Sequence, residues 1–265
     1  MIDLKGICFQ VQEIAKSTGK FLLNERKSFD TKAIEYKGKN DMVSYVDKTA
    51  EGQIVEGLKP LIEGAGFITE ENTISIKGEV YNWIIDPLDG TTNFVHGIPA
   101  YCVSIGLTKG EDLVLGVIYE PNLDECFYAW EGSAAYLNGI EIKVSSIDKL
   151  SQSLLATGFP YSNYSMMKEY MQVFDYCMKN THGVRRWGSA AIDLAYVACG
   201  RFEAFYEYGL KPWDVAAGAF ILQQAGGKLS DFSGGNNYLF GQEMISSNGL
   251  IHEEFQAVIK DFFKR

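Results

Sequence analysis

The run Trp83-Ile84-Ile85-Asp86-Pro87-Leu88-Asp89-Gly90-Thr91-Thr92-Asn93-Phe94 constrains this chain more than any other stretch. Tyr81 to Ile85 is aromatic and β-branched, the composition of a buried strand, so Asp86 leaves the strand at its carboxyl end. Pro87 fixes its own φ and restricts Asp86, while Gly90 accepts backbone conformations that other residues resist. Two carboxylates three residues apart therefore converge on one turn. Oxygen donors of this kind suit Mg2+, which prefers near-octahedral oxygen coordination, better than zinc. If Thr91 to Phe94 open a helix, their free N–H groups and the positive end of its dipole face the same point, a place for phosphate. Read locally, the same residues make a capped turn, because Asp, Pro, Gly and Thr all favour turns. Acidic motifs elsewhere in the chain favour the first reading.

Three such motifs stand at element ends. Asp47 lies near the start of a periodic segment carrying Ala50, Ile54, Leu58 and Leu61, where a carboxylate serves equally as a helix cap. Glu70-Glu71 follows the short strand Gly66 to Thr69; taken alone, such a pair is a solvated loop. In Lys211-Pro212-Trp213-Asp214, Pro212 suits a first helical turn, and the apolar run Val215 to Ala225 continues it. Asp214 then sits in the first turn of a buried helix, where a carboxylate is costly to desolvate without a cation.

The rest of the chain sets the architecture. Leu4 to about Asn24 has helical spacing, and a polar connection follows it. Cys102 to Thr108, Leu113 to Tyr119 and Glu125 to Trp130 read as an antiparallel meander, and Asn138-Gly139 as a tight turn. From about Ser145 strands and helices alternate: strands at Ser153 to Thr157, Val184 to Trp187, Glu203 to Tyr206, Lys228 to Asp231 and Glu243 to Ser246, and helices at Ser165 to Lys179, Ala190 to Cys199 and His252 to Phe263. A length of 265 residues at 46% hydrophobic permits one domain of two closely packed halves, about 1–144 and 145–265.

A formal net charge of -10 argues against general affinity for nucleic acid or an anionic membrane. No stretch reaches the roughly 18 uninterrupted apolar residues of a membrane span, and the start of the chain has no basic region followed by an apolar core. Cys8, Cys102, Cys126, Cys177 and Cys199 are scattered without a CxxC pair, as expected of reduced thiols in a cytoplasmic protein. His96, His182 and His252 are isolated, which disfavours a hydrolase triad. Arg185-Arg186 reads as part of an ion pair or a subunit contact, with phosphate binding as the other possibility. The aromatics Tyr161, Tyr164, Tyr170, Phe174 and Tyr176 read as packing residues, not a base-stacking platform.

Together, Asp41-Met42-Val43-Ser44-Tyr45-Val46-Asp47, Ile68-Thr69-Glu70-Glu71-Asn72, Trp83 to Phe94, Gly188-Ser189-Ala190-Ala191-Ile192-Asp193 and Lys211 to Gly218 resemble the inositol monophosphatase family over nearly the whole chain. One departure is Thr69, where the family often has Gly. The resemblance implies an α+β fold, the layered αβαβα arrangement of inositol monophosphatase and fructose-1,6-bisphosphatase, and a homodimer. It implies that Glu70, Asp86 and the Leu88 carbonyl hold a first Mg2+, and that Asp86, Asp89 and Asp214 hold a second. Glu70 would also serve a third. Gly90 and Thr91 would give backbone amides to the phosphate, and Asp47 with the Thr91 hydroxyl would orient and help deprotonate the attacking water. Asp89, the backbone around Ala190, and Glu207 would meet substrate hydroxyls. Asp193 would either join that rim or simply face solvent. The implied reaction is metal-dependent hydrolysis of a small phosphate monoester, with myo-inositol monophosphate as leading substrate and lithium as inhibitor. Fructose-1,6-bisphosphatase, histidinol-phosphate phosphatase and 3'-phosphoadenosine 5'-phosphate phosphatase are the rivals on the same site, and a non-catalytic interaction protein is the rival of another class. Thr92-Asn93 resembles the inositol branch, whereas nucleotide phosphatases tend to carry Lys-Glu there.

Overall fold

Two sheets whose central strands are buried along nearly their whole length must be covered on both faces, and six helices do this in three layers. The structure is a computed structural model that describes residues 2–30, 35–38, 41–74, 76–161 and 163–264, with backbone alone for 35–38 and 41–43.

The first layer is α1 (Leu4–Ser28) and α2 (Tyr45–Leu58), joined through a hairpin of β1 (Glu35–Gly38) and β2 (Asp41–Val43). Ile7, Val11, Ala15 and Leu22 bury one face of α1. The Asp3 carboxylate caps its start, and Arg26 and Lys27 suit the negative end of its dipole, carrying the helix four residues past Asn24. The hairpin falls in the connection that reads as merely polar; part of that connection lies outside the described residues.

The second layer is a seven-stranded sheet in the order β3 (Gly66–Thr69), β4 (Tyr81–Asp89), β5 (Cys102–Lys109), β6 (Asp112–Glu120), β7 (Glu125–Trp130), β8 (Ala135–Leu137) and β9 (Ile140–Ile142). The expected meander is present in β5 to β7, and Asn138 and Gly139 both take positive φ in the β8–β9 turn. The short α3 (Thr91–His96) follows β4 directly.

The second sheet has the order β11-β10-β12-β14-β13, built from β10 (Leu154–Thr157), β11 (Gly183–Arg185), β12 (Ala204–Tyr208), β13 (Lys228–Ser230) and β14 (Glu243–Ser247). Between the sheets lie α5 (Ala190–Ala198) and α6 (Pro212–Gln224), and α4 (Met167–Asn180) and α7 (His252–Phe263) cover the outer face. The result is the expected α+β, αβαβα layering. Most other element ends differ from the sequence reading by a residue or two, as in β11, which stops at Arg185 rather than Trp187.

The central helix lies close to the first sheet because two glycines make room. Gly106 and Gly116 pair across β5 and β6, and a Cβ on Gly116 would stand 2.5 Å from the Ala217 carbonyl oxygen of α6. A side chain there would push α6 outward. Among the described residues no helix is long and apolar enough to cross a membrane. The five cysteines are free, and burial pushes the thiols of Cys8, Cys126 and Cys177 up to about 12, which makes them poor nucleophiles.

Candidate active site

The site begins with an irregularity in β4. Asp86 pairs with Ser104 and Asp89 with Cys102, so β4 spends one residue more than β5 between those pairs. Pro87 has no N–H to give the ladder, and the strand bulges there. The bulge matters because residues three apart in a regular strand point to opposite faces. Before it, Trp83 and Ile85 face α1 and α2 while Ile84 faces the central helices; after it, Leu88 faces the first layer. Asp86 and Asp89 are thereby both turned toward α5 and α6. The strand also runs on through Asp89 instead of ending at Ile85.

On the other side of the bulge, Leu88 N–H donates to Asp86 Oδ1 at 2.9 Å, and the Thr91 hydroxyl reaches the Leu88 carbonyl at 3.0 Å. Gly90 takes φ 98° at the start of α3, a conformation that its lack of a Cβ allows. Asp47 resolves the ambiguity between cap and site by doing both. Its Oδ2 accepts from the Ser44 backbone N–H and hydroxyl, each at 2.8 Å, and its Oδ1 accepts from the Thr91 hydroxyl at 3.2 Å. Asp47 is 1% exposed, and burial raises its carboxyl above the usual range despite these bonds.

Glu70 is set by its neighbours in the chain and by a residue that the sequence reading missed. Buried Glu51 accepts from Glu71 N–H at 2.7 Å and from Thr73 N–H at 2.8 Å, fixing the loop that follows β3. Glu71 is therefore not a solvated loop residue. The available signal was spacing: Glu51 stands four residues after Asp47, on the same face of α2. Glu70 itself lies against Asp86, with which it shares a hydrogen bond.

The second half of the chain contributes the opposite wall. Ser189 caps α5, its hydroxyl donates to Asp89 Oδ2 at 2.7 Å, and Ala191 N–H donates to the same oxygen at 2.7 Å. The backbone beside Ala190 thus already engages Asp89. Asp214 Oδ2 accepts from Lys211 N–H at 2.7 Å in the first turn of α6. Asp193 is 1% exposed and so does not face solvent, and its Oδ1 has no partner among the described residues. Glu207 on β12 is buried too, and burial lifts its carboxyl to about 8. Arg186, which reads from sequence as an ion-pair or subunit-contact residue, acts electrostatically on Asp89, Asp193 and Glu207 together.

The four carboxylates Glu70, Asp86, Asp89 and Asp214 form one electrostatic unit. Burial first, then Glu70, Asp89 and Asp214 in turn, hold the Asp86 carboxyl well above its ordinary value; burial and then Asp89 do the same to Asp214. Among the described residues no three acidic, His or Cys side chains make a finished metal cage. Asp89 and Asp214 each accept from the backbone N–H groups just named. The donor chemistry still fits a hard divalent cation: every donor is oxygen, and mutual repulsion is what such a cation relieves.

A Neisseria meningitidis serogroup B protein named Putative Nus factor SuhB is 38% identical over 246 residues, covering 92% of this chain and 94% of the relative. A Mesorhizobium japonicum inositol-1-monophosphatase is 37% identical over 250 residues, with 94% of each chain covered. The crystal structure of extragenic suppressor protein suhB from Bartonella henselae superposes with a TM-score of 0.91 at 36% identity, covering 96% of this chain and 98% of that one. The pattern of the inositol monophosphatase family matches residues 4–262. Enzymes of that family are phosphatases and generally metal-dependent. With its family pattern spanning residues 4–262 and its fold shared with a relative over 96% of its length, the chain belongs to the inositol monophosphatase family.

Proposed function

We propose that this phosphatase hydrolyses myo-inositol monophosphate to inositol and phosphate, with Mg2+ as the metal. The observation that carries the reading is the gathering of Asp86 with Glu70, Asp89 and Asp214 beside the Thr91–Asp47 pair. Glu70, Asp86, the Leu88 carbonyl, Asp89 and Asp214 would hold two or three ions, which supply charge neutralisation and Lewis acidity at the phosphoryl group. The Gly90 and Thr91 amides receive the phosphate at the start of α3. A water held against the Thr91 hydroxyl gives up its proton toward Asp47 through that hydroxyl. The raised carboxyl of Asp47 makes it a stronger proton acceptor than an exposed aspartate. Asp89, the backbone around Ala190, Asp193 and Glu207 receive the hydroxyls of the leaving polyol, for which carboxylates are apt acceptors.

The test is phosphate release from myo-inositol 1-phosphate, fructose 1,6-bisphosphate, histidinol phosphate and 3'-phosphoadenosine 5'-phosphate, with Mg2+ and with EDTA. Metal-dependent turnover strongest on inositol phosphate is expected; a stronger response to another ester moves the substrate and keeps the site. The same reading carries millimolar lithium inhibition and a cytoplasmic homodimer, which inhibition curves and sedimentation check.

A second reading comes from the name Nus factor SuhB carried by relatives at 36–38% identity: an assembly role on the same fold. Asp86→Asn separates the two. A cellular phenotype that survives this substitution favours the assembly role, and one that is lost with turnover favours the enzyme.

A further inference from the structure

The segment Gly158-Phe159-Pro160-Tyr161 joins two charged groups that the family resemblance does not connect. At its start, Glu207 packs directly on Gly158, where a Cβ would stand 1.9 Å from the carboxylate. Tyr170 fixes that end, its hydroxyl donating to the Gly158 carbonyl at 2.5 Å. At the far end the Arg186 guanidinium lies 5.4 Å from the Phe159 ring centre and 5.7 Å from that of Tyr161, and it hydrogen-bonds the Tyr161 hydroxyl. Arg186 thus lies against an aromatic wall, and its charge acts on the carboxyl groups of Asp89, Asp193 and Glu207.

Two atoms in this region lack what burial ordinarily demands. Arg186 Nε is a buried donor, and Asp193 Oδ1 a buried acceptor, each without a hydrogen-bond partner among the described residues. Leaving such groups unmade is costly, so a ligand that satisfies both gains accordingly. A hydroxyl can accept from the first and donate to the second; a phosphate dianion can only accept, and would leave Asp193 Oδ1 without a donor.

Resting on the phosphatase reading above, we infer that Arg186 is a specificity residue: paired against Asp193 and Glu207, it donates to a ring hydroxyl of the substrate and restricts the site to monophosphates whose far end is an uncharged polyol. On that reading the phosphate is received by the Gly90 and Thr91 amides, and Arg186 contributes on the side of Asp193 and Glu207. A guanidinium is suited to this place, since its planar face stacks on Phe159 and Tyr161 while its edge donates.

The experiment compares wild type with Arg186→Gln and Arg186→Lys on myo-inositol 1-phosphate, p-nitrophenyl phosphate and fructose 1,6-bisphosphate. We expect the ratio of kcat/KM on inositol phosphate to that on p-nitrophenyl phosphate to fall at least tenfold in Arg186→Gln, mostly through KM, with Arg186→Lys in between. An unchanged ratio overturns the inference, and so does a larger loss on the bisphosphate than on inositol phosphate, which would make Arg186 a second phosphate anchor. Calorimetric binding of myo-inositol 1-phosphate in Ca2+ reads the same contact without turnover. Tenfold weaker binding by Arg186→Gln supports the inference, and equal binding overturns it. If wild type turns over none of the esters, the phosphatase reading fails separately.

Discussion

Asp47 divides its carboxylate between two tasks: one oxygen holds the Ser44 cap of its own helix, and the other lies 3.2 Å from the Thr91 hydroxyl, 44 residues away in sequence. The cap fixes the rotamer, so the second oxygen meets Thr91 without further ordering. Thr91→Val removes the hydroxyl and keeps the shape. A loss of about 10²–10³ in kcat is expected, within the range of general acid–base contributions, with KM little changed and Thr91→Ser largely active. Steady-state kinetics checks this; an equal loss in both variants would mean that the methyl, not the hydroxyl, matters.

Asp86 is 2% exposed and surrounded by three other carboxylates. Asp86→Asn keeps an acceptor for Leu88 N–H and can donate to Glu70, while removing a buried negative charge. In EDTA the variant should melt about 2–4 °C higher, the shift that roughly 1 kcal/mol produces in a chain of this size. It should lose most of the stabilisation that Mg2+ gives wild type, and turnover by more than about 10³-fold. Thermal melts with and without Mg2+ decide this.

Gly116 lets α6 rest on the first sheet, and α6 carries Asp214. Gly116→Ala places a methyl against the backbone of Ala217, an overpacking that costs about 1–3 kcal/mol. Because the helix moves as a body, activity should fall as well as stability. The central core draws on both parts of the chain, from Ile84 and Phe127 to Phe220 and Met244. We therefore propose that 1–144 and 145–265 fold as one unit, and a single calorimetric transition is expected; two transitions would divide them.

His252 is buried between Ser247 and Ser230, 2.9 Å and 3.1 Å from their hydroxyls. Burial, and then Lys228, lowers its imidazole from 6.5 to about 4. The folded state therefore holds a neutral ring that the unfolded chain would protonate. Its contribution is complete above pH 6.5 and is lost as pH falls toward 4. Urea midpoints at pH 7.5 and pH 5 should differ less in His252→Gln than in wild type, and an equal difference would place the acid sensitivity elsewhere.

The sequence by itself determined the local parts of the site. Asp86, Pro87, Asp89 and Gly90 carry their turn in their own backbone preferences, Pro212 and Asp214 their helix start, and the β5–β7 meander its alternation of apolar runs and turns. These depend on neighbours a few residues apart. Tertiary structure decided what those parts meet. The bulge at Pro87 turns Asp86 and Asp89 to the same side, because pairing with β5 fixes how many residues β4 must spend there. Asp193 appears from sequence as a polar residue near the start of a helix, and only the packing of α5 between the two sheets and against α6 makes it buried. Glu51 and Arg186 had no partner that the sequence could name. Each acquired its place from a chain segment brought against it, since a charge is read as solvated until the fold shows which groups replace its water.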